Sequence, residues 1–346
     1  MPTGSYERYG LTGNPFRELA SENLEDVMIL HVNQAADEQL RTIREEVFDR
    51  ENRAVVAITG PQGSGKTQRL LVTAAEAKER KAFVVYFDVP SRSEWVLRGV
   101  TAAFDKSAKS AGLVKMLGSP PWLRALTSIA RTKSPAYDPK EAGRRIGEAL
   151  NATVPSFLLL NDLHNMVEST EVETFAKTLE EVTAVMKPGV LLMFACYASY
   201  LAWLTVNQPA LASRVNRAIP LATLSEDEAR LLLAKKLLAK RIVEDLEPTY
   251  PFDRSAVAAL NRGSHGNPRR LFELADAVLE RAVAARAYQI DGDLVDSVVA
   301  TRETAPPSPS PPPPSSAAER SVPAPESSKT APTTRPARRS IWGRSR

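Results

Sequence analysis

The sequence predicts an α/β protein: a parallel sheet covered by helices on both faces, then a small all-helical unit, then a Pro-rich tail without fixed structure. Three observations predict it. Short, continuously apolar runs alternate with helical stretches through the first two-thirds of the chain, as strands of a parallel sheet buried on both faces must. A glycine-rich octapeptide, Gly60-Pro61-Gln62-Gly63-Ser64-Gly65-Lys66-Thr67, separates the first apolar run from the first helical stretch. After Thr223 the pattern turns helical alone, and from Glu303 onward Pro, Ser, Ala and Thr dominate.

Each element follows from local pattern. Val55 to Thr59 reads as the first strand, and Lys66 to Arg80 as the helix after the glycine loop. Ala82 to Phe87 is the second strand. The insert between Pro90 and Pro139 carries two helices, around Glu94 to Ser110 and Pro121 to Ala130; its lysines (Lys106, Lys109, Lys115, Lys133) read as a solvated face. A helix over Pro139 to Asn151 precedes the strand Phe157 to Leu160, and an amphipathic stretch over Glu171 to Met186 precedes the strand Val190 to Ala195. Ala218 to Leu221 is a shorter fifth strand. Ser225, with Glu228 three residues on, marks a helix start. Further helices are expected over Asp253 to Asn261, Asn267 to Ala287 and Gly292 to Thr301. The expected organisation is therefore an N-terminal segment (1–36), an αβα domain (37–223), a small helical domain (224–302) and a tail (303–346) too poor in apolar residues to offset its ordering entropy.

Composition removes several function classes. The formal charge of +4 is confined to the tail, where seven basic residues face three acidic ones, so the body is neutral and makes no case for a polyanion-binding surface. A single cysteine, Cys196, excludes an intramolecular disulfide framework and fits a reducing compartment. His31, His164 and His265 are too scattered for a zinc site. The start MPTGSYERYG lacks the apolar core of a signal peptide. Pro188 to Ser213 contains no charge, but its Gly, Asn, Gln and Pro residues make it a poor bilayer helix, and a buried strand followed by a helix and turn fits better. A soluble, cytoplasmic protein without a transmembrane segment is expected.

The octapeptide is a full match to G-x-x-x-x-G-K-[ST], with a strand before it and a helix after it. Glycines at 60, 63 and 65 let the backbone wrap closely around phosphates with its N–H groups turned inward. Lys66 adds a cation between the β- and γ-phosphates, and the Thr67 hydroxyl can ligate Mg²⁺. ATP and Mg²⁺ are the expected cofactors. The second half of such a site belongs at the end of another strand, and Phe157 to Met166 (FLLLNDLHNM) is the candidate. Two registers are open there. With Asn161 on the metal side, a neutral amide replaces a carboxylate and Asp162 takes the base position with a short reach. With Asp162 on the metal side, Leu163 leaves no base. The first is preferred because it puts a polar pair at the strand end, and either weakens hydrolysis more than binding.

These motifs, in this order, resemble the AAA+ P-loop ATPases, in the branch that contains ExeA-type and replication-initiator (origin-recognition) ATPases. Tyr9 to Phe16 (YGLTGNPF) resembles the opening of ExeA-type proteins; Leu211 to Val215 (LASRV), followed by Leu224-Ser225, resembles the junction between the two AAA+ subdomains; and Gly263 to Arg269 (GSHGNPR) is similar to the sensor 2 motif. The resemblance implies that Arg269 reaches from the lid to the γ-phosphate, that Arg214 acts in trans as an arginine finger in an assembled oligomer (with Arg217 second to it), and that adenine lies between the 9–32 segment and the start of the lid. It also implies a sensor 1 after the Val190 strand, where Tyr197 and Ser199 stand in place of the usual Asn. A DNA-binding winged helix after the lid is missing from the pattern. The resulting expectation is a slow ATPase whose nucleotide state switches its surface toward a protein partner or a neighbouring copy. A DNA-associated ATPase of the transposition or replication type and a non-hydrolysing ATP-binding regulatory module are the alternatives. The tail reads as a solvated extension, or else as a basic docking motif with Trp342 as its apolar anchor.

Overall fold

The computed structural model describes residues 6–17, 30–32, 34–90, 96–113, 119–130, 137–243 and 245–304. Lys115, Lys133 and the tail from 305 onward lie outside the described residues.

Five strands, β1 (Ala54–Thr59), β2 (Phe83–Asp88), β3 (Ser156–Asn161), β4 (Val190–Cys196) and β5 (Arg217–Pro220), form one sheet in the order β2-β3-β4-β1-β5. All pairings are parallel. The apolar runs are continuous because alternate residues serve two separate cores. Val55, Ala57, Val85, Leu158, Leu160, Leu192 and Phe194 point to one face, under α3 (Val96–Ser110), α4 (Pro121–Ala130), α5 (Pro139–Asn151) and α6 (Val172–Val185). Val56, Ile58, Val84, Phe157, Leu159, Leu191 and Met193 point to the other, under α1 (Ala35–Phe48) and α2 (Lys66–Glu79). The uncharged stretch from Pro188 resolves into β4, α7 (Ala198–Asn207) and the single turn α8 (Pro209–Ala212). Among the described residues no helix is long and apolar enough to cross a membrane.

The helical unit comprises α9 (Glu226–Leu238), α10 (Arg254–Ser264), α11 (Pro268–Ala285) and α12 (Gly292–Thr304). Its starts are written in the sequence. Ser225 and Glu228 cap α9 reciprocally, Asp253 caps α10, and Asn267 with Pro268 behind it starts α11. The last helix runs two residues past the composition boundary at 302.

Residues 6–17 join this helical core. Tyr9, Leu11 and Phe16 are fully buried beside Phe252, Leu271 and Phe272. The amide of Ile242 donates to the Gly10 carbonyl at 2.8 Å, and the Asn14 amide donates to Asp276 (2.8 Å) and Glu280 (3.0 Å). Tyr6 donates to Glu280 at 2.5 Å, and burial followed by that carboxylate pushes its phenol up to about 12. The N-terminal strap is thus a structural part of the lid.

Candidate functional site

The ends of β1, β2, β3 and β4 open toward the lid around a cleft of about 840 Å³, within the size range of small-molecule sites. Its floor is the glycine loop. Gly63 and Gly65 take φ of 78° and 92°, and a Cβ at Gly63 would lie 2.6 Å from Cβ of Arg269, so a side chain is excluded there by backbone and lid alike. Lys66, only 6% exposed, donates to the carbonyls of Gly60 (2.9 Å) and Pro61 (2.8 Å) and lies 4.9 Å from the centroid of the Tyr197 ring. Burial pushes its ammonium below the ordinary lysine value, and Asp162 only partly opposes this. The Ser64 hydroxyl is buried with no hydrogen-bond partner.

At the end of β3, the Thr67 hydroxyl donates to Asn161 Oδ1 at 3.0 Å. The Asn161 amide donates in turn to Asp88 Oδ1 (2.9 Å) and Asp162 Oδ2 (3.3 Å). Asn161 is the last residue of β3, and Asp162 follows in a left-handed conformation (φ 52°) that starts the short 3₁₀ turn Leu163–Glu168. Of the two sequence registers, the geometry places Asn161 beside Thr67. His164, in that turn, packs against Tyr197 with ring centroids 3.8 Å apart and planes tilted by 37°. Burial pushes its imidazole below the ordinary value, with Asp162 opposing. Tyr197 therefore lines the cleft from the β4 end, whereas Ser199 is exposed and does not.

The lid closes the other side. His265 and Gly266 both have positive φ, and a Cβ at Gly266 would meet Leu224 O at 2.8 Å. This reversal presents Asn267 to the glycine loop. Its amide donates to Gln62 O at 2.7 Å while its Oδ1 accepts from Arg270 N, so one side chain both caps α11 and ties the lid to the loop. Arg269 lines the cleft beside Lys66 and Thr67, at the N-terminal turn of α11, where the helix dipole disfavours a cation without an anionic partner. Apolar walls come from Leu30, Val32, Leu224, Leu232 and Phe272. Arg69 braces the entrance by donating to Gln34 (2.8 Å) and Asp37 (3.0 Å). Burial alone would raise the Asp37 carboxyl, but His31 and Arg69 more than reverse this and hold it below its ordinary value.

No protein-family model matches the chain, and no curated protein sequence matches it. Solved structures do. The Aeropyrum pernix ORC2 protein, solved in ADPNP-ADP complexes, has a TM-score of 0.51 at 16% identity, over 82% of this chain and 71% of that one. The ORC1 protein of the same organism, solved in complex with DNA, gives 0.51 at 16% identity over 82% and 70%. Cdc6p from Pyrobaculum aerophilum gives 0.51 at 14% identity over 76% and 67%. This chain has the AAA+ P-loop fold.

Within the AAA+ fold, the sequence-predicted residues divide into two groups. Gly60 to Thr67, Asn161, Asp162 and Arg269 converge on the glycine-loop end of the sheet, and of these Gln62 to Thr67, Asp162 and Arg269 line the 840 Å³ cleft itself. Arg214 does not join them. It is exposed in the turn before β5, close in sequence to Asn216, whose backbone N–H donates to Val55 O and whose Oδ1 accepts from Val55 N at the start of β1. That is the opposite end of the parallel strands from the glycine loop. Sequence reasoning missed Asp88, Tyr86, His164 and the Arg69–Asp37 brace. Asp88 enters because it stands opposite Asn161 in the β2–β3 register, a relation that no local motif encodes.

Proposed function

We propose that this chain binds ATP with Mg²⁺ in the cleft between the glycine loop and the lid, hydrolyses it slowly, and uses the lid to signal nucleotide state to a protein partner. One observation carries this reading: Lys66, Thr67 and Arg269 line the same cleft, with Asn267 joining the glycine loop to the helix that bears Arg269. Glycine-loop amides and Lys66 suit the phosphates, and the walls formed by Leu30, Val32, Leu224 and Phe272 suit a base. Arg269 has an anion to meet only when a γ-phosphate is present, so ATP and ADP differ in how firmly they hold the lid.

The donor set suits a divalent cation. The Thr67 hydroxyl proton is already directed to Asn161, leaving its oxygen lone pairs for a metal, and Asp162 lies beside the same amide. When bound, the cation neutralises phosphate charge. Asn161 brings no charge to that task, which favours binding over turnover. On this reading Asp162 activates the water, with the shorter reach of an aspartate. Arg214 lies outside its own cleft, and its role would be fulfilled in the cleft of a second copy.

Titration with a fluorescent ATP analogue tests the reading. Wild type should bind in Mg²⁺, and Lys66→Ala should weaken binding by about 10- to 100-fold, the value of hydrogen bonds to charged groups. Equal affinity of the two proteins would overturn it. Turnover that rises with protein concentration and is lost in Arg214→Ala would support assembly.

A further inference from the structure

The β3 strand ends in an amide where the resemblance leads one to expect a metal-side carboxylate, yet the site does not lack negative charge. Asp88 ends β2 directly opposite Asn161. Its Oδ1 accepts from Asn161 Nδ2 at 2.9 Å and from the Tyr86 hydroxyl at 2.8 Å, which fixes the carboxylate and leaves Oδ2 uncommitted. The same Asn161 side chain accepts the Thr67 hydroxyl. The amide is therefore a spacer, oriented by Thr67 on one side and by Asp88 on the other. Among the described residues no ion pair engages either Asp88 or Asp162, although both line the cleft that holds Lys66 and Arg269. Both carboxylates, Asp88 exposed and Asp162 partly so, are therefore open to a positive charge that arrives with the ligand. A second observation concerns the same cleft: Ser64 of the glycine loop, 7% exposed, lines it and keeps its hydroxyl unpartnered, so that a ligand atom can satisfy it.

We propose that Asp88 of β2 supplies the metal-side carboxylate of the Mg²⁺·nucleotide site, so that the carboxylate stands on β2 and the amide on β3. The inference rests on the nucleotide reading above. It accounts for Asn161 without loss of metal binding, since Mg²⁺ needs only one or two carboxylates when phosphates and water complete its shell. The cation site is complete only with nucleotide in place.

The test compares the affinity of a fluorescent ATP analogue in Mg²⁺ and in EDTA on the same protein sample. The readout is the ratio of the two. Asp88→Asn should lower that ratio about tenfold, the effect of losing one metal-site contact. The double variant Asp88→Asn with Asn161→Asp, which returns the carboxylate to β3, should recover most of it. Bound Mn²⁺ followed by electron paramagnetic resonance in the presence of ADP should show the same order: wild type and double variant retain the ion, and Asp88→Asn does not. An unchanged ratio in Asp88→Asn overturns the proposal. So does an equal loss in both media, which is what a folding defect would produce, or a double variant no better than the single one. Failure of wild type to bind nucleotide in either medium would instead overturn the nucleotide reading itself.

Discussion

The ends of β1 and β3 lie two strands apart in one sheet and, on the nucleotide reading, would treat the same ligand differently. At β1 the glycine loop carries every residue that phosphate binding asks for, and its lysine and threonine are already oriented by Gly60, Pro61 and Asn161. At β3 a neutral amide occupies the position next to Thr67, and the charge has moved to its neighbours Asp88 and Asp162. If the cleft is the nucleotide site proposed above, its two halves vary independently. Holding phosphates relies on backbone amides and one cation, whereas polarising metal and water depends on where carboxylates stand.

The comparison breaks most readily at β1. Lys66→Ala should give the largest effect of any single change, a loss of nucleotide affinity of about 10- to 100-fold by titration, because no other residue of the loop offers a cation. If Asp88→Asn weakened binding in EDTA as strongly as Lys66→Ala, the contrast between the two strand ends would be false.

Asn161→Asp attacks the β3 end. The new carboxylate would keep the Thr67 bond but lose both donors to Asp88 and Asp162, leaving three carboxylates together. We expect the nucleotide-free protein to lose about 2 to 3 kcal/mol in a denaturation experiment, and Mg²⁺ with nucleotide to return a large part of it. A variant as stable as wild type without ligand would show that Asn161 is not a spacer between charges.

Arg269→Ala sharpens the contrast from the lid. It should reduce the preference for ATP over ADP by about tenfold, the value of one charge-assisted contact, while ADP affinity changes less. Asn267→Ala removes both the α11 cap and the bond to Gln62, and should cost about 1 to 2 kcal/mol by thermal denaturation. If ADP affinity fell as far as ATP affinity in Arg269→Ala, Arg269 would be bracing the lid and not reading the γ-phosphate.

Legibility in the sequence follows the range of the interaction. The strands were readable because burial on both faces makes each one continuously apolar, and the α9 start was readable because Ser225 and Glu228 lie within one turn. The α1 helix is hard to read from sequence because its apolar stripe is thin, Ala36, Leu40, Ile43 and Val47 among charged neighbours. The strap was recognisable as a motif, but its packing was not, since Asn14 finds its partners at Asp276 and Glu280. Asp88 was invisible for the same reason: it closes a strand that the apolar pattern ends at Phe87, and its importance comes from register with β3.

The smallest effect concerns the brace at the cleft entrance. Asp37 is held below its ordinary carboxyl value of 3.8, burial being outweighed by His31 and Arg69. A carboxylate whose folded value is depressed stabilises the fold fully above its unfolded value and loses that contribution as pH falls through the lower folded value. Stability should therefore be flat with respect to this group above about pH 5 and decline below about pH 4. Asp37→Asn should remove its part of the acid slope, measured as denaturation midpoint against pH, and should leave the midpoint near pH 7 lowered by the loss of the Arg69 pair. Because Arg69 stands on the helix that begins with Lys66, the same variant should weaken nucleotide binding only slightly at neutral pH. A loss approaching that of Lys66→Ala would mean that the brace sets the shape of the glycine loop, and the division between the two strand ends would have to include α1.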